Sequence, residues 1–259
     1  MQLFLLKNLI KEHFFNSANR YAIIYMRILI IGASSGIGRE LAIQYAAKGN
    51  EVIAVARRKP LLCELSQYSS NIQIAQCDIS NIEETNSLLS TIFMETIHVA
   101  IICSGIGDLN SELDFTIEKQ TIDINIVGWT FCVDAIYKKF EEQSSGHLVI
   151  LSSCGGLRGE PLAPAYSASK AYQMNYIEAL CKKAYKSKLP IHITDIRPGL
   201  VNTRMAKGSG LFWVMPTEKA AKQIINAIDK KKHVAIVTKR WGIIHWIMRY
   251  LPLSLYIRI

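Results

Sequence analysis

Met26-Arg27-Ile28-Leu29-Ile30-Ile31-Gly32-Ala33-Ser34-Ser35-Gly36-Ile37-Gly38 is the stretch on which the fold turns. Its first six residues are mostly apolar and rich in isoleucine, the composition of a strand buried on both faces. Three glycines follow at once, spaced G-x-x-x-G-x-G, and residues 39–48 carry helical periodicity. A strand, a glycine-rich turn and a helix in that order form a cradle for phosphate. The glycines let the backbone approach a pyrophosphate, and the helix N-terminus presents unpaired N–H groups and a positive dipole end.

The same rhythm continues outward from this unit. Strands are predicted near 27–31, 51–56, 72–76, 97–102, 147–152, 190–196 and 233–237, and helices near 37–48, 61–68, 81–94, 116–142, 164–187 and 217–229. Such alternation predicts an α/β fold, a Rossmann-like doubly wound parallel sheet of about seven strands with helices on both faces. Ligands in such sheets bind beyond the carboxyl ends of the strands. Gly32, Ser104, Ser153 and Pro198 all follow predicted strand ends, so one crevice collects them. Half of the 259 residues are hydrophobic, enough for a substantial core, and no repeat or linker divides the chain.

A second motif falls in this crevice. Tyr166-Ser167-Ala168-Ser169-Lys170 stands thirteen residues after Ser153. On a helix, positions i and i+4 share a face, so Tyr166 and Lys170 stack one turn apart. A free tyrosine has a pKa of about 10 and shuttles protons poorly near neutrality. A neighbouring ammonium favours the phenolate and brings that pKa towards working pH. Ser153 is placed to hydrogen-bond a substrate carbonyl and fix it against Tyr166.

Both motifs, their order and their separation resemble the short-chain dehydrogenase/reductase family of single-domain type, over about Arg27 to Val237. The resemblance implies an enzyme acting on CH–OH groups, with Tyr166 as general acid/base and Ser153 polarising the carbonyl. Lys170 would hold the nicotinamide ribose and lower the Tyr166 pKa, and Asn125 would support Lys170 through a water. It further implies a nucleotide bed of Gly32, Ser34, Ser35, Gly36, Ile37 and Gly38 in the first turn, with Asp78 and Ile79 at the adenine. Ser104 and Gly105 would follow the fourth strand, and Pro198, Gly199, Val201 and Thr203 would cover the nicotinamide. The chain departs from the family pattern at Ile31, where a Thr is usual, and at Cys103-Ser104-Gly105, where Asn-Ala-Gly is usual. Both departures bear on the sheet and the cofactor bed rather than on the chemistry.

Charge argues for the cofactor. The second strand ends at Ala56 without the carboxylate that binds a ribose 2′-OH and repels a 2′-phosphate. Arg57 and Arg58 follow, and an arginine fork suits phosphate. NADP(H) is therefore expected in preference to NAD(H), with Arg57 as the main contact and Ser34 or Arg58 as helpers. The expected reaction is reversible reduction of a carbonyl to an alcohol. The apolar lid after Gly199 (Met205, Leu211, Phe212, Trp213, Val214 and Met215) favours a hydrophobic or acyl-type substrate. The alternative is a non-catalytic NADP(H)-binding sensor or a membrane-associated interaction protein.

The net charge of +9 lies at the two ends. Residues 230–259 hold seven Lys/Arg and no acid, and residues 1–26 set Lys7, Lys11 and Arg20 against Glu12, so the body between them is balanced. The division expected is an N-terminal extension over 1–25, a catalytic domain over 26–238 and a basic, apolar tail over 239–259. The tail suits an interfacial segment on an anionic leaflet, or a helix packed on the cleft or across a dimer. Residues 1–25 make a poor signal peptide and read as an upstream-start artefact or an amphipathic extension. The six cysteines show no C-x-x-C pair and no metal spacing with histidine, which suits core residues in a reducing, cytoplasmic setting. A homodimer or homotetramer is implied by the resemblance, the small-molecule substrate is the other partner, and no nucleic-acid module is recognisable.

Overall fold

The computed structural model describes residues 25–206 and 212–258. The N-terminal extension, Tyr25 apart, and Leu211 of the lid lie outside the described residues. Seven strands, β1 (Arg27–Ile31), β2 (Glu51–Ala56), β3 (Ile72–Gln76), β4 (Val99–Ile102), β5 (Gly146–Leu151), β6 (Ile191–Pro198) and β7 (Val234–Val237), form one sheet in the order β3-β2-β1-β4-β5-β6-β7. Every pairing is parallel. The helices between them are α1 (Gly36–Ala47), α2 (Lys59–Ser66), α3 (Ile82–Ile92), α4 (Phe115–Ile122), α5 (Trp129–Glu142), α6 (Pro164–Ser187) and α7 (Thr217–Asp229).

Strand alternation divides the core in two. Ile28 and Ile30 of β1 face α1 and α7, where Leu41, Tyr45, Ala220 and Ile224 meet them. Leu29 and Ile31 face the other side, with Leu89, Trp129, Phe140 and Ile177. Side chains one residue apart point to opposite faces, so a strand buried on both sides must be apolar on both, as β1 is from Ile28 to Ile31. Each buried Ile or Leu contributes roughly 1.5–3 kcal/mol relative to exposure.

Strand order reverses between β1 and β4, which carry the chain outward in opposite directions. At such a point the loops after neighbouring strands diverge and leave a crevice. Register aligns the strand ends there: Ile31 pairs with Val55 and with Ile102.

The long helix expected over 116–142 is interrupted. α4 and α5 are separated by one π-helical stretch, Asp123–Gly128, that contains Asn125. The extra residue in such a turn redirects a side chain, and Asn125 is thereby buried against the loop after β4. Beyond β7 the tail forms two further helices, α8 (Trp241–Tyr250) and α9 (Leu253–Tyr256). They pack on the body beside the crevice: Arg158 Nε donates to Met248 O at 2.8 Å, Arg158 Nη2 to Leu251 O, and Tyr256 Oη to Gly159 O at 2.6 Å. Among the described residues no helix is long and apolar enough to cross a membrane.

Candidate active site

A cleft of about 1220 Å³ opens at the carboxyl ends of the strands. The glycine-rich turn forms its floor. Gly32 sits at φ +93°, and a Cβ there would lie 2.5 Å from Ser104 N, so only glycine lets the loops after β1 and β4 approach. At Gly38 a Cβ would lie 2.3 Å from Gly32 O, so the start of α1 folds directly over the turn. Ser35 caps α1 without a side-chain bond to the helix. Its hydroxyl accepts instead from Arg58 Nη2 at 2.6 Å, and the same nitrogen reaches Ser34 Oγ at 2.8 Å. The Ser104 hydroxyl oxygen is buried in the cleft wall without a hydrogen-bond partner among the described residues. Close backbone approach, a helix start and this orphaned hydroxyl fit a dinucleotide.

The two arginines after β2 are turned differently. Arg57 pairs with Asp78 at 3.3 Å and is half exposed, whereas Arg58 lies over the serines of the turn. Sequence reasoning put Arg57 first; the geometry puts Arg58 against the turn, because the ion pair draws Arg57 towards the loop after β3. Burial, then Arg204 and Arg57, push the Arg58 pKa down. Three guanidinium groups thus converge, and Asp78 pairs with one of them, Arg57. Burial alone would raise the Asp78 carboxyl, but hydrogen bonds from Ser80 and the charge of Arg57 outweigh it and hold it below its ordinary value.

Deeper in the cleft the motif residues meet. Ser153 follows β5, and its hydroxyl hydrogen-bonds the Tyr166 phenol while accepting from Gly155 N at 3.0 Å. Burial pushes the Tyr166 pKa up, and the Ser153 hydrogen bond pulls against it. The Lys170 ammonium lies 5.9 Å from the centre of the Tyr166 ring. It donates to Leu151 O at 3.0 Å and to Gln173 Oε1 at 2.9 Å, both buried contacts. Burial lowers its pKa to about 8, against the opposing charges of Asp195 and Cys103. The expected downward shift of Tyr166 by Lys170 is therefore not the dominant influence here; desolvation of the phenol is.

A side chain, Gln173, joins Asn125 to Lys170. Gln173 Nε2 donates to Asn125 O at 2.9 Å while its oxygen takes Lys170. The Asn125 amide is consumed locally: Oδ1 accepts from Ile106 N at 2.9 Å, and Nδ2 donates to Ile106 O and Ser169 Oγ. Sequence reading missed Gln173, although it lies three residues after Lys170 and hence on the same helix face.

The remaining predicted site residues, Gly36, Ile37, Ile79, Gly105, Pro198, Gly199, Val201 and Thr203, all line the cleft. Trp241, Ile244, His245 and Met248 of α8 join them and were not foreseen as site residues. Trp241 stands over Gly199, where an added Cβ would meet its ring at 2.1 Å, and stacks on Phe212 of the lid. Cys154, beside Ser153, has its thiol pKa raised to about 11 by burial, so it behaves as a packing residue. His147 and His192 lie on β5 and β6, away from the cleft. Among the described residues no group of His, Cys, Asp or Glu suits a metal.

The sheet, the turn and the Ser153–Tyr166–Lys170 cluster define a dinucleotide-dependent oxidoreductase of Rossmann-like fold. The family model described as short chain dehydrogenase matches residues 26–211, and the chain belongs to that family. An uncharacterised oxidoreductase of Mycobacterium tuberculosis is 31% identical over 224 residues, covering 82% of this chain and 87% of the relative. One from Staphylococcus haemolyticus is 32% identical over 216 residues, covering 80% and 93%. Among solved structures, a short chain dehydrogenase from Burkholderia cenocepacia in complex with NADP superposes with a TM-score of 0.79 at 18% identity, covering 90% of this chain and 97% of the other. One from Sphingobium yanoikuyae in complex with NADPH gives 0.73 at 22% identity, covering 88% and 97%.

Proposed function

We propose that this oxidoreductase binds NADP(H) and reduces the carbonyl of a hydrophobic or acyl-type substrate, reversibly, within a catalytic unit spanning 26–238. The observation that carries the reading is the Ser153 hydroxyl bonded to the Tyr166 phenol, with the Lys170 ammonium one turn along the same helix. The nucleotide, when bound, supplies or accepts the hydride. Ser153 and Tyr166 would take the substrate oxygen between them, and Tyr166 would hand it a proton as negative charge develops there. Lys170, held charged below about pH 8, would favour loss of that proton.

Preference for the phosphorylated nucleotide rests on Arg58 across Ser34 and Ser35, with Arg57 and Arg204 near it and no carboxylate at Ala56. Arg58 replaces Arg57 as the expected principal contact. Two structural neighbours are complexes with NADP and NADPH, which agrees with this choice. A hydrophobic substrate is supported by the apolar wall of Trp241, Ile244 and Met248. A homodimer or homotetramer in the cytoplasm is the expected setting for such an enzyme.

The test is reduction of ketones running from diacetyl through 3-oxoacyl thioesters to a steroid ketone, with NADPH and NADH in parallel. Turnover with NADPH that falls at least ~100-fold in Tyr166→Phe, with NADPH binding retained, supports the reading. Unchanged turnover in that variant rejects the assigned proton donor.

A further inference from the structure

Helix α8 is apolar on two opposite faces. Trp241, Ile244, His245 and Met248 turn inward to the cleft. Ile243, Trp246, Ile247 and Tyr250, at i, i+3, i+4 and i+7, turn outward and are 64%, 65%, 45% and 65% exposed. Leu253, which opens α9, and Ile257, which follows it, are also exposed, at 65% and 72%. Single exposed hydrophobics are ordinary, but a contiguous run of large ones marks a contact surface. The Trp246 and Tyr250 rings lie 5.6 Å apart, which gives the run an aromatic centre.

Charge selects the occupant. Arg249 on α8, Lys239 and Arg240 just before it and Arg258 just after α9 are exposed, and no acidic residue follows Asp229 in the sequence. A second copy docked by a two-fold axis would set this patch on itself, cation against cation, with no carboxylate from the patch to pair them. A bilayer bearing anionic headgroups offers both complements at once: acyl chains for Trp246 and its neighbours, and phosphates for the arginines. Tyr and Trp suit that boundary, having an apolar body and a polar edge.

We propose that the outer face of α8 and α9 docks on an anionic lipid surface, which places one wall of the cleft at the membrane. The anchorage is interfacial, since α8 has only 10 residues. It rests on geometry and charge alone and stands whether or not the carbonyl reductase reading does.

The experiment is flotation of the full chain with vesicles of phosphatidylcholine alone and of phosphatidylcholine mixed with phosphatidylglycerol, at low and high salt. Expected is binding to the mixed vesicles only, weakened by salt. Ile243→Ser with Trp246→Ser, and separately Arg240→Gln with Arg249→Gln, should each lower partitioning by ~10-fold while reduction of a soluble ketone persists. These side chains are exposed, so the variants fold, which circular dichroism checks. Absence of binding, equal binding to both vesicles, or binding unchanged in both variants overturns the proposal. So does light scattering that shows a dimer dissolved by the serine variant without vesicle binding, since a second copy would then own the face.

Discussion

Lys170 Nζ and Gln173 Oε1 are 2.9 Å apart in the buried floor of the cleft, and Gln173 passes the contact on to the carbonyl of Asn125. A cation placed there is aimed by a neutral amide and by Leu151 O. Orientation of the ammonium is thus set by three elements: β5, the π-helical stretch and α6.

Gln173 should therefore act as a positioning residue. Gln173→Leu is expected to lower kcat about tenfold with NADPH affinity little changed, because Lys170 loses a partner that fixes its direction. Gln173→Glu sets a carboxylate beside the ammonium and raises the Lys170 pKa from about 8. The alkaline limb of the pH–rate profile should then move upward, which a purely structural role for Gln173 would not produce. An unmoved limb in Gln173→Glu, with kcat intact in Gln173→Leu, counts against the role.

The arginines should separate by contact. Arg58→Ala removes the fork that holds Ser34 and Ser35, and KM for NADPH is expected to rise at least ~10-fold with KM for NADH little changed. Arg57→Ala should cost less, since Arg57 is half exposed and spends itself on Asp78. Steady-state kinetics with both nucleotides would show the order, and the reverse order would restore Arg57 to first place.

Gly38→Ala tests the close approach of α1 to its own turn. A Cβ 2.3 Å from a backbone oxygen cannot be relieved by a side-chain rotation. The variant should lose about 1–3 kcal/mol of stability and bind NADPH more weakly, read by thermal denaturation and by titration. A wild-type melting temperature would mean that the turn relaxes freely.

His147 makes stability depend on pH. It is buried, and its Nε2 lies 2.8 Å from Thr194 Oγ1. Burial, with His192 and Lys231 nearby, depresses its pKa to about 4 from 6.5. The folded state therefore binds its proton less readily than the unfolded one. Its contribution is fully present above about pH 6.5 and is lost as pH falls through 4, a loss of up to about 3 kcal/mol. Chemical denaturation across this window should show a slope that His147→Gln reduces; an equal slope in the variant would assign it elsewhere.

The inner strands β1, β2, β4 and β5 were legible because a parallel strand buried on both faces must be apolar along nearly its whole length. Ile28–Ile31 and Val99–Ile102 could be read for that reason. The π-helical interruption at Asp123–Gly128 was not legible, since its residues carry ordinary helical periodicity and the break answers to the burial of Asn125 against Ile106. The tail was read as basic and apolar, yet α8 has two apolar faces, and periodicity cannot say which one the body will cover.

Sequence by itself determined the chemistry available: the glycines that admit a phosphate, the hydroxyl, phenol and ammonium at fixed spacing, and the excess of positive charge near the ends. These are local properties, written in residue type and in the 3.6-residue and two-residue periods. Tertiary structure alone decided which groups meet. It bent Arg57 towards Asp78 and left Arg58 to the turn, set Gln173 between Asn125 and Lys170, and folded α8 along the cleft. Each of these joins residues far apart in the chain or chooses between competing partners, and that choice is made by packing and desolvation once the sheet has formed.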